Sequence, residues 1–160
     1  MEVILDDTDI KILNLIQGNA RISNADLARE VNMAPSAVLE RVKKLEQKKV
    51  IKQYNAVINP VAVQQKLLAF IFIKSKEGFT CSTETANSLA AIPEVQEVHH
   101  IAGEDCFLVK VRTADSAGLM ELMRNSLRKI PNILSTKTTI VLETVKEDHQ
   151  LVIQQKNKTG

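Results

Sequence analysis

The chain of 160 residues has room for one medium-sized domain or two small ones, and 44% hydrophobic residues suffice for packed cores built mainly from aliphatic side chains. A formal net charge of +2 excludes a general attraction to nucleic acid, so any such affinity must come from a local patch. The first residues lack a basic region, and no stretch approaches the roughly 20 apolar residues of a membrane-spanning helix. A cytoplasmic protein without membrane contact is expected.

Two short helices are predicted before residue 35. The first begins after the pair Asp6-Asp7, where acidic side chains suit the positive end of the helix dipole, and it ends at Gly18-Asn19. The second begins at about Asn24, because Ser23 and the acid three residues later form a capping-box pattern. Asn32 suits the left-handed conformation that ends a helix.

A third helix is predicted to begin at Pro35, whose fixed φ angle suits a first helical turn. Its apolar residues recur at helical spacing and form the stripe that faces the protein: Val38, Val42 and Leu45. The opposite side presents small, donor and charged residues: Ser36, Ala37, Glu40, Arg41, Lys43, Lys44 and Lys48. Between residues 41 and 52, six Lys or Arg side chains stand against one acid. Phosphate binding needs such clustering, although a charge run alone is more often an ordinary solvated face.

A strand pair at about residues 51–54 and 56–58 follows, which predicts a winged helix-turn-helix over residues 1–60. The second helix of such a motif enters the major groove of DNA, and this context favours DNA binding over the solvated face. Arg41 is the first candidate for a base contact, since its geometry matches guanine O6 and N7, and the lysines are assigned to phosphates. The predicted DNA-contacting residues are Asn24, Pro35, Ser36, Ala37, Glu40, Arg41, Lys43, Lys44, Lys48 and Lys52. Tyr54 of the wing either touches the phosphate backbone or packs against the helices.

After a linker at residues 61–66, hydrophobic patterning predicts the order β-α-β-β-α-β over residues 67–145. The predicted strands are 67–74, 95–102, 106–112 and 133–145, and the predicted helices are 82–91 and 115–130. The buried stripe of the second of these helices is predicted as Leu119, Met120, Met123, Leu127 and Ile130. This order is the ferredoxin-like sandwich, so the chain as a whole is predicted to be α+β. In the tail, residues 146–160, a short strand is expected at 151–153 and disorder from Lys156 onward.

In such a sandwich both helices cover one face of the sheet, which leaves the other face for a second subunit. The chain is therefore expected to form a homodimer. Two recognition helices at a fixed spacing read two half-sites, so the predicted partner is double-stranded DNA with a palindromic operator.

Cys81 and Cys106 stand far apart without a metal-binding spacing, and no disulfide framework is predicted. His99 and His100 are adjacent, and adjacent residues of a strand point to opposite faces of a sheet. A metal centre or a Cys/His catalytic pair is therefore not favoured, and no cofactor is predicted.

These motifs together resemble the Lrp/AsnC, or feast/famine, family of transcription regulators. The resemblance is carried by Asp9-Ile10, Ile12-Leu13, Arg21-Ile22-Ser23-Asn24, Leu27-Ala28, Leu39-Glu40-Arg41-Val42, Leu45 and Asn59-Pro60, and it continues to about Lys156. Two positions depart from the family pattern. Ala34 replaces the Ser that commonly caps the recognition helix, and Lys48 and Lys49 occupy the bend where the family usually has Gly. A slightly less stable motif with unchanged DNA contacts is implied.

The resemblance implies a transcription regulator, and not an enzyme, whose second domain senses an amino acid and assembles dimers into octamers. The family's signature turn between the second and third strands reads Gly103-Glu104-Asp105-Cys106-Phe107 here, with Cys106 where the family often has an acid. The implied effector-binding residues are Ala102, Gly103, Glu104, Asp105 and Cys106. The acids suit an α-ammonium group and the N–H groups of the turn suit a carboxylate. The alternative is a hairpin turn that uses Gly and Asp only for their conformational tolerance.

Two other functions are compatible with this fold. One is a ligand-independent, nucleoid-type protein that wraps DNA. The other is enzymatic, because some siroheme decarboxylases resemble the family, with His99, His100 and Arg112 as the only candidates to hold a tetrapyrrole. The basic recognition helix argues against the enzyme. The sequence does not identify the amino acid, leucine-like or other.

Overall fold

The structure, a computed structural model, describes residues 3–76 and 82–154. These residues form two compact units. The first joins residues 3–57 to the C-terminal residues 147–154, and the second contains the described residues between 58 and 146. Among the described helices, none combines the length and the apolar character needed to cross a membrane.

The three helices predicted for the first unit are present. They are α1 (Asp7–Gly18), α2 (Asn24–Val31) and α3 (Pro35–Gln47). Ser23 Oγ caps α2 by accepting a hydrogen bond from the Asp26 N–H at 3.1 Å, and Asn32 ends that helix with φ 53°, as predicted. The buried side chains of the three helices form one aliphatic core: Ile12, Leu13, Ile16, Leu27, Ala28, Val38, Val42 and Leu45.

The strand pair predicted for the wing is wrong. Residues 51–58 contain no strand, and Val57 and Ile58 expose 91% and 60% of their surface. The sequence alternates as a strand does, but a strand also needs a neighbour to accept and donate its backbone hydrogen bonds. No described segment of this chain pairs with it. The predicted linker at 61–66 is a turn, in which the Gln65 N–H donates to the Pro60 carbonyl at 2.7 Å.

The C-terminal segment packs on α1 and does not form the predicted strand. The side-chain amide of Gln17 accepts from the Leu151 N–H at 2.7 Å and donates to the Leu151 carbonyl at 3.1 Å. Asn14 Nδ2 donates to the Ile153 carbonyl at 3.4 Å, and the Ile153 side chain packs against the helical core. The side-chain amide of Gln17 therefore makes the backbone hydrogen bonds that a neighbouring strand was expected to make. The predicted disorder from Lys156 onward lies outside the described residues.

The second unit has the predicted order of elements. They are β1 (Leu67–Ser75), α4 (Thr83–Ala90), β2 (Val95–His100), β3 (Phe107–Thr113), α5 (Ser116–Asn125), a 3-10 turn (Leu127–Lys129) and β4 (Ile133–Ile140). The antiparallel sheet has the order β2-β3-β1-β4, which confirms the ferredoxin-like topology. Ile71 at its centre lies opposite Val109 on one side and Thr138 on the other.

Helices α4 and α5 cover one face of this sheet. Their buried residues pack against alternate residues of β1 and β3 in a single core: Ala69, Ile71, Ile73, Leu89, Ile92, Cys106, Phe107, Val109, Val111, Leu119, Leu122 and Leu127. The other face carries Phe70, Phe72 and Leu108, which are only half-buried. One sheet face is therefore packed and the other is largely open, as the topology predicts.

Several predicted boundaries in this unit are wrong. Strand β2 ends at His100 and β3 begins at Phe107, so the turn between them is longer than expected. Strand β4 ends at Ile140 and not at residue 145. Helix α5 ends at Asn125 and is followed by a 3-10 turn. Within the helix Leu122 is buried, whereas Met120, which was predicted to belong to the buried stripe, exposes 51% of its surface.

Candidate DNA interface and effector site

The recognition helix α3 is held by its buried stripe, which leaves most of the predicted DNA-contacting residues exposed. Val38 is fully buried, and Val42 and Leu45 pack beside it in the core. Ala34 makes no side-chain cap, so Pro35 alone favours the start of the helix. The exposed candidates are Asn24 at the first turn of α2 and Pro35, Ser36, Glu40, Lys43, Lys44, Lys48 and Lys52 on or after α3. The exposed candidates therefore comprise three polar or acidic side chains, four lysines and Pro35 at the first position of α3.

Two of the predicted residues are not on the fully exposed surface. Ala37 and Arg41 are half-buried and line a groove of about 340 Å³ between α3 and the N-terminal segment. Val3, Ile4 and Leu5 of the N-terminal segment also line this groove. Glu40, Lys44 and Lys48 of the exposed set line the same groove, so the exposed and the half-buried candidates are continuous along α3.

Arg41 is held by two acids of the first helix. Its Nη1 donates to Asp6 Oδ2 at 2.7 Å and to Asp9 Oδ1 at 2.8 Å. The hydrogen bond to Asp6, followed by that to Asp9, raises the pKa of Arg41 above its usual value. A base contact by Arg41, as expected from the sequence, would require these ion pairs to break.

The C-terminal end of α3 is fixed by other contacts. The Tyr54 hydroxyl donates to Glu46 Oε1 at 2.8 Å, which places this tyrosine against the helix rather than free to reach DNA. Burial, and then the bond to the Glu46 carboxylate, raises the pKa of Tyr54 to about 12. Lys49 has φ 58°, so a non-glycine residue does occupy the left-handed position after the recognition helix. Lys43 and Glu40 form an exposed ion pair at 3.6 Å.

The candidate effector site is the turn between β2 and β3. Ala102, Gly103 and Glu104 are exposed and Asp105 is partly buried. Gly103 has φ 158°, a value that residues with a side chain rarely adopt, so the backbone shape of this turn depends on glycine. Four of the five predicted effector residues therefore lie together at an accessible turn.

Cys106, the fifth, lies beneath this turn. Its N–H donates to the Ile73 carbonyl at 2.8 Å, and its own carbonyl accepts from the Ile101 N–H at 3.0 Å. The side chain is 6% exposed, belongs to the core of the second unit and is disulfide-bonded. The expectation of no disulfide is thus corrected; the other cysteine of the sequence, Cys81, lies outside the described residues. Because its backbone and its sulfur are both engaged, Cys106 supports the turn from below and does not present its side chain to a ligand.

A charged cluster on the open face of the sheet was missed by the sequence analysis. Glu97 Oε2 contacts His99 Nε2 at 3.0 Å, and Glu97 Oε1 accepts from Lys110 Nζ at 3.2 Å. The bond to His99, with Lys110, lowers the pKa of Glu97. His100 lies on the other face with its ring 5.5 Å from that of Phe107, so the two histidines diverge as predicted. Within residues 3–76 and 82–154, no three His, Cys, Asp or Glu side chains are grouped to hold a metal ion.

The same two units are found in known regulators. The chain matches the family profile described as Lrp/AsnC ligand binding domain over residues 68–151 and the profile described as winged helix-turn-helix DNA-binding over residues 5–52. The leucine-responsive regulatory protein of Haemophilus influenzae is 39% identical over 151 residues, which are 94% of this chain and 91% of that protein. A transcriptional regulator of Neisseria meningitidis, solved as a complex with L-methionine, is 30% identical with a TM-score of 0.86, covering 92% of this chain and 96% of that chain. AsnC of Escherichia coli is 26% identical with a TM-score of 0.81, covering 92% and 99%.

The two profiles, together with relatives that are transcription regulators, define a DNA-binding transcription regulator. The two profiles together cover most of the chain. The sequence identities to known regulators indicate the same family. The chain belongs to the Lrp/AsnC family.

Proposed function

We propose that the chain binds double-stranded DNA through the exposed side of α3 and that an amino acid, bound at the turn between β2 and β3, controls this binding. The observation that supports DNA binding is that one side of α3 is buried in the core and the other is exposed and basic. Val38 is fully buried, whereas Lys43 and Lys44 are exposed on the same helix. A helix anchored by one stripe and basic on the other can enter a major groove without unfolding its own core.

The proposed DNA-contacting residues divide by chemistry into two sets. Ser36 and Glu40 carry short polar groups that can meet base edges, and Pro35 and Ala37 are small enough to allow close approach. The residues assigned to phosphates are Lys43, Lys44, Lys48 and Lys52, with Asn24 at the start of α2. Contacts to phosphates fix the register of the protein on the duplex, whereas sequence is read by the few contacts to bases.

The proposed effector is an apolar α-amino acid bound by Ala102, Gly103, Glu104 and Asp105. The two acids can pair with its ammonium group, and the turn offers backbone N–H groups for its carboxylate. One similar regulator was solved with L-methionine and a relative is named for its response to leucine, which supports an aliphatic or thioether side chain.

The proposed assembly is a homodimer formed through the open face of the sheet. Phe70, Phe72 and Leu108 give this face an apolar centre that a second copy would bury on both sides at once. Two recognition helices would then read a palindromic operator, and dimers would assemble further into octamers. Since such a regulator must reach DNA, we place it in the cytoplasm.

The DNA half is tested by selecting operators from a randomised duplex pool with the full chain and measuring affinity against salt concentration. Each phosphate contact contributes about 0.9 to the slope of log affinity against log salt. Lys44→Ala should lower the slope by about one, whereas the matched change Lys129→Ala, an exposed lysine of the second unit, should not. An unchanged slope for Lys44→Ala would remove that residue from the interface.

The effector half is tested by thermal unfolding of the full chain with each amino acid in turn. A ligand present at a hundred times its dissociation constant adds about 2.7 kcal/mol to the free energy of unfolding. Asp105→Asn should abolish the stabilisation by the active amino acid while leaving DNA binding without effector unchanged. If no amino acid stabilises the protein and DNA binding is intact, the ligand-independent DNA-wrapping function is the correct one.

A further inference from the structure

The carboxylate oxygens of Asp6 and Asp9 are shared between a helix cap and Arg41. Asp6 Oδ1 accepts from the Asp9 N–H at 2.8 Å, and Asp9 Oδ2 accepts from the Asp6 N–H at 3.3 Å, which closes a capping box at the start of α1. The remaining oxygens, Asp6 Oδ2 and Asp9 Oδ1, accept from Arg41 Nη1. One nitrogen of the recognition helix is thus bound to both members of the cap of α1.

This cluster differs in burial from the other cations of α3. The Arg41 side chain is 30% exposed and that of Asp9 is 16% exposed, whereas Lys43 on the same helix is 51% exposed; Asp6, at the rim of the cluster, is 54% exposed. A partly buried pair is screened less by salt than an exposed one, and hydrogen bonds between ionised groups are the stronger kind. If Arg41 turned toward a base, it would leave two carboxylates near a helix that must approach phosphates.

We propose that Arg41 is a positioning residue: it holds α3 at a fixed place and angle on α1 through Asp6 and Asp9, and it offsets their negative charge. The proposal rests on the proposed binding of DNA by α3, and it replaces the base contact expected from the sequence. In this role Arg41 affects sequence recognition through Ser36, Glu40 and the lysines, without touching a base itself.

The two roles of Arg41 predict opposite signs for one substitution. Asp9→Asn keeps the size of the side chain and removes its charge. If Arg41 reads a base, this change removes one of the two acids that hold the guanidinium, and operator binding tightens. If Arg41 positions α3, the change loosens the helix, and the ratio of operator affinity to random-DNA affinity falls about tenfold, the scale of one lost base-pair preference. The ratio is the right quantity, because removing a negative charge strengthens binding to all DNA alike.

The experiment compares Asp9→Asn, Arg41→Gln and the double variant of the full chain on an operator selected by the wild type. We expect Asp9→Asn to lower the ratio by less than Arg41→Gln, because the bond from Arg41 to Asp6 remains, and we expect the double variant to match Arg41→Gln. Base preferences should weaken across the whole site and not at a single base pair. Asp7→Asn, which removes an exposed acid from the same turn of α1, is the control and should leave the ratio unchanged.

A higher ratio for Asp9→Asn, or loss of preference at one base pair alone in Arg41→Gln, would overturn the proposal. If Arg41→Gln does not fold, Arg41→Lys, which keeps the charge, takes its place with a smaller loss expected. A wild type that selects no operator would refute the proposed function and not this inference. In that case thermal unfolding of the same three variants tests the inference. If the losses in Tm of the two single variants add up in the double variant, Arg41 and Asp9 are not coupled.

Discussion

The two units of this regulator are stabilised in different ways. The second unit is built on a sheet in which β1 is paired along its length with both β3 and β4, so its backbone hydrogen bonds are many and regular. The helices of the first unit pack through an aliphatic core and have no sheet between them; single polar side-chain contacts, such as Arg41 with Asp6 and Lys11 Nζ with the Glu30 carbonyl, add to this packing. It is also assembled from two distant parts of the chain. Single substitutions should therefore disturb the DNA-binding unit more easily than the ligand-binding unit.

The largest effect that would test this comparison is expected from the C-terminal segment. Ending the chain after Lys146 removes the packing of Ile153 and the bonds between Gln17 and Leu151. The first unit should lose about 2–3 kcal/mol of unfolding free energy, from one partly buried aliphatic side chain and its hydrogen bonds. Hydrogen exchange of the backbone amides should show the loss in α1 to α3 and not in the sheet.

A matched pair of substitutions separates packing from chain length. Ile153→Ala should reproduce about 1–2 kcal/mol of the loss, since its side chain packs against the helical core. Val152→Ala, next to it and 88% exposed, should have almost no effect. Equal effects of the two would show that the segment does not pack on α1 in solution.

The sequence predicts features that depend on neighbouring residues and does not predict contacts between distant ones. The starts of α2 and α3 could be predicted because Ser23 and Pro35 act on their own first turns. The contacts of Arg41 and Leu151 could not, because their partners are distant in sequence and no local pattern marks them. The pair Asp6 and Asp9, spaced as a capping box, was the one available signal for the Arg41 site. The prediction of strands in the wing was wrong for a related reason. Alternating apolar residues indicate a strand, but they do not show whether another segment lies beside it to pair with it.

A substitution at the bend after the recognition helix is expected to change the unfolding free energy of the first unit by an intermediate amount. Lys49 has φ 58°, where a residue with a Cβ is strained, whereas Lys48 has φ −77°. Lys49→Gly should stabilise the first unit by up to about 1 kcal/mol because it relieves this strain. Lys48→Gly removes the same charge without relieving any strain, and it should be neutral or destabilising. Chemical denaturation followed in the first unit would measure both, and equal effects would contradict the strained conformation.

The smallest expected effect is on the unfolding free energy of the first unit at acidic pH. The backbone N–H of Asp9, with a contribution from Arg41, holds the pKa of Asp6 below its usual value of 3.8. Because the pKa is lowered in the folded state, ionised Asp6 stabilises the first unit above that value, and the contribution is lost as the pH falls through the folded pKa. The difference in unfolding free energy between the wild type and Asp6→Asn should therefore shrink as the pH is lowered below about 4. Arg41→Gln should move the acid inflection upward, toward 3.8, since it removes one of the groups that favour the charged carboxylate. If Arg41→Gln leaves the inflection unchanged, Arg41 is not bound to Asp6 in solution, and the two helices of the DNA-binding unit are held together by their aliphatic core alone.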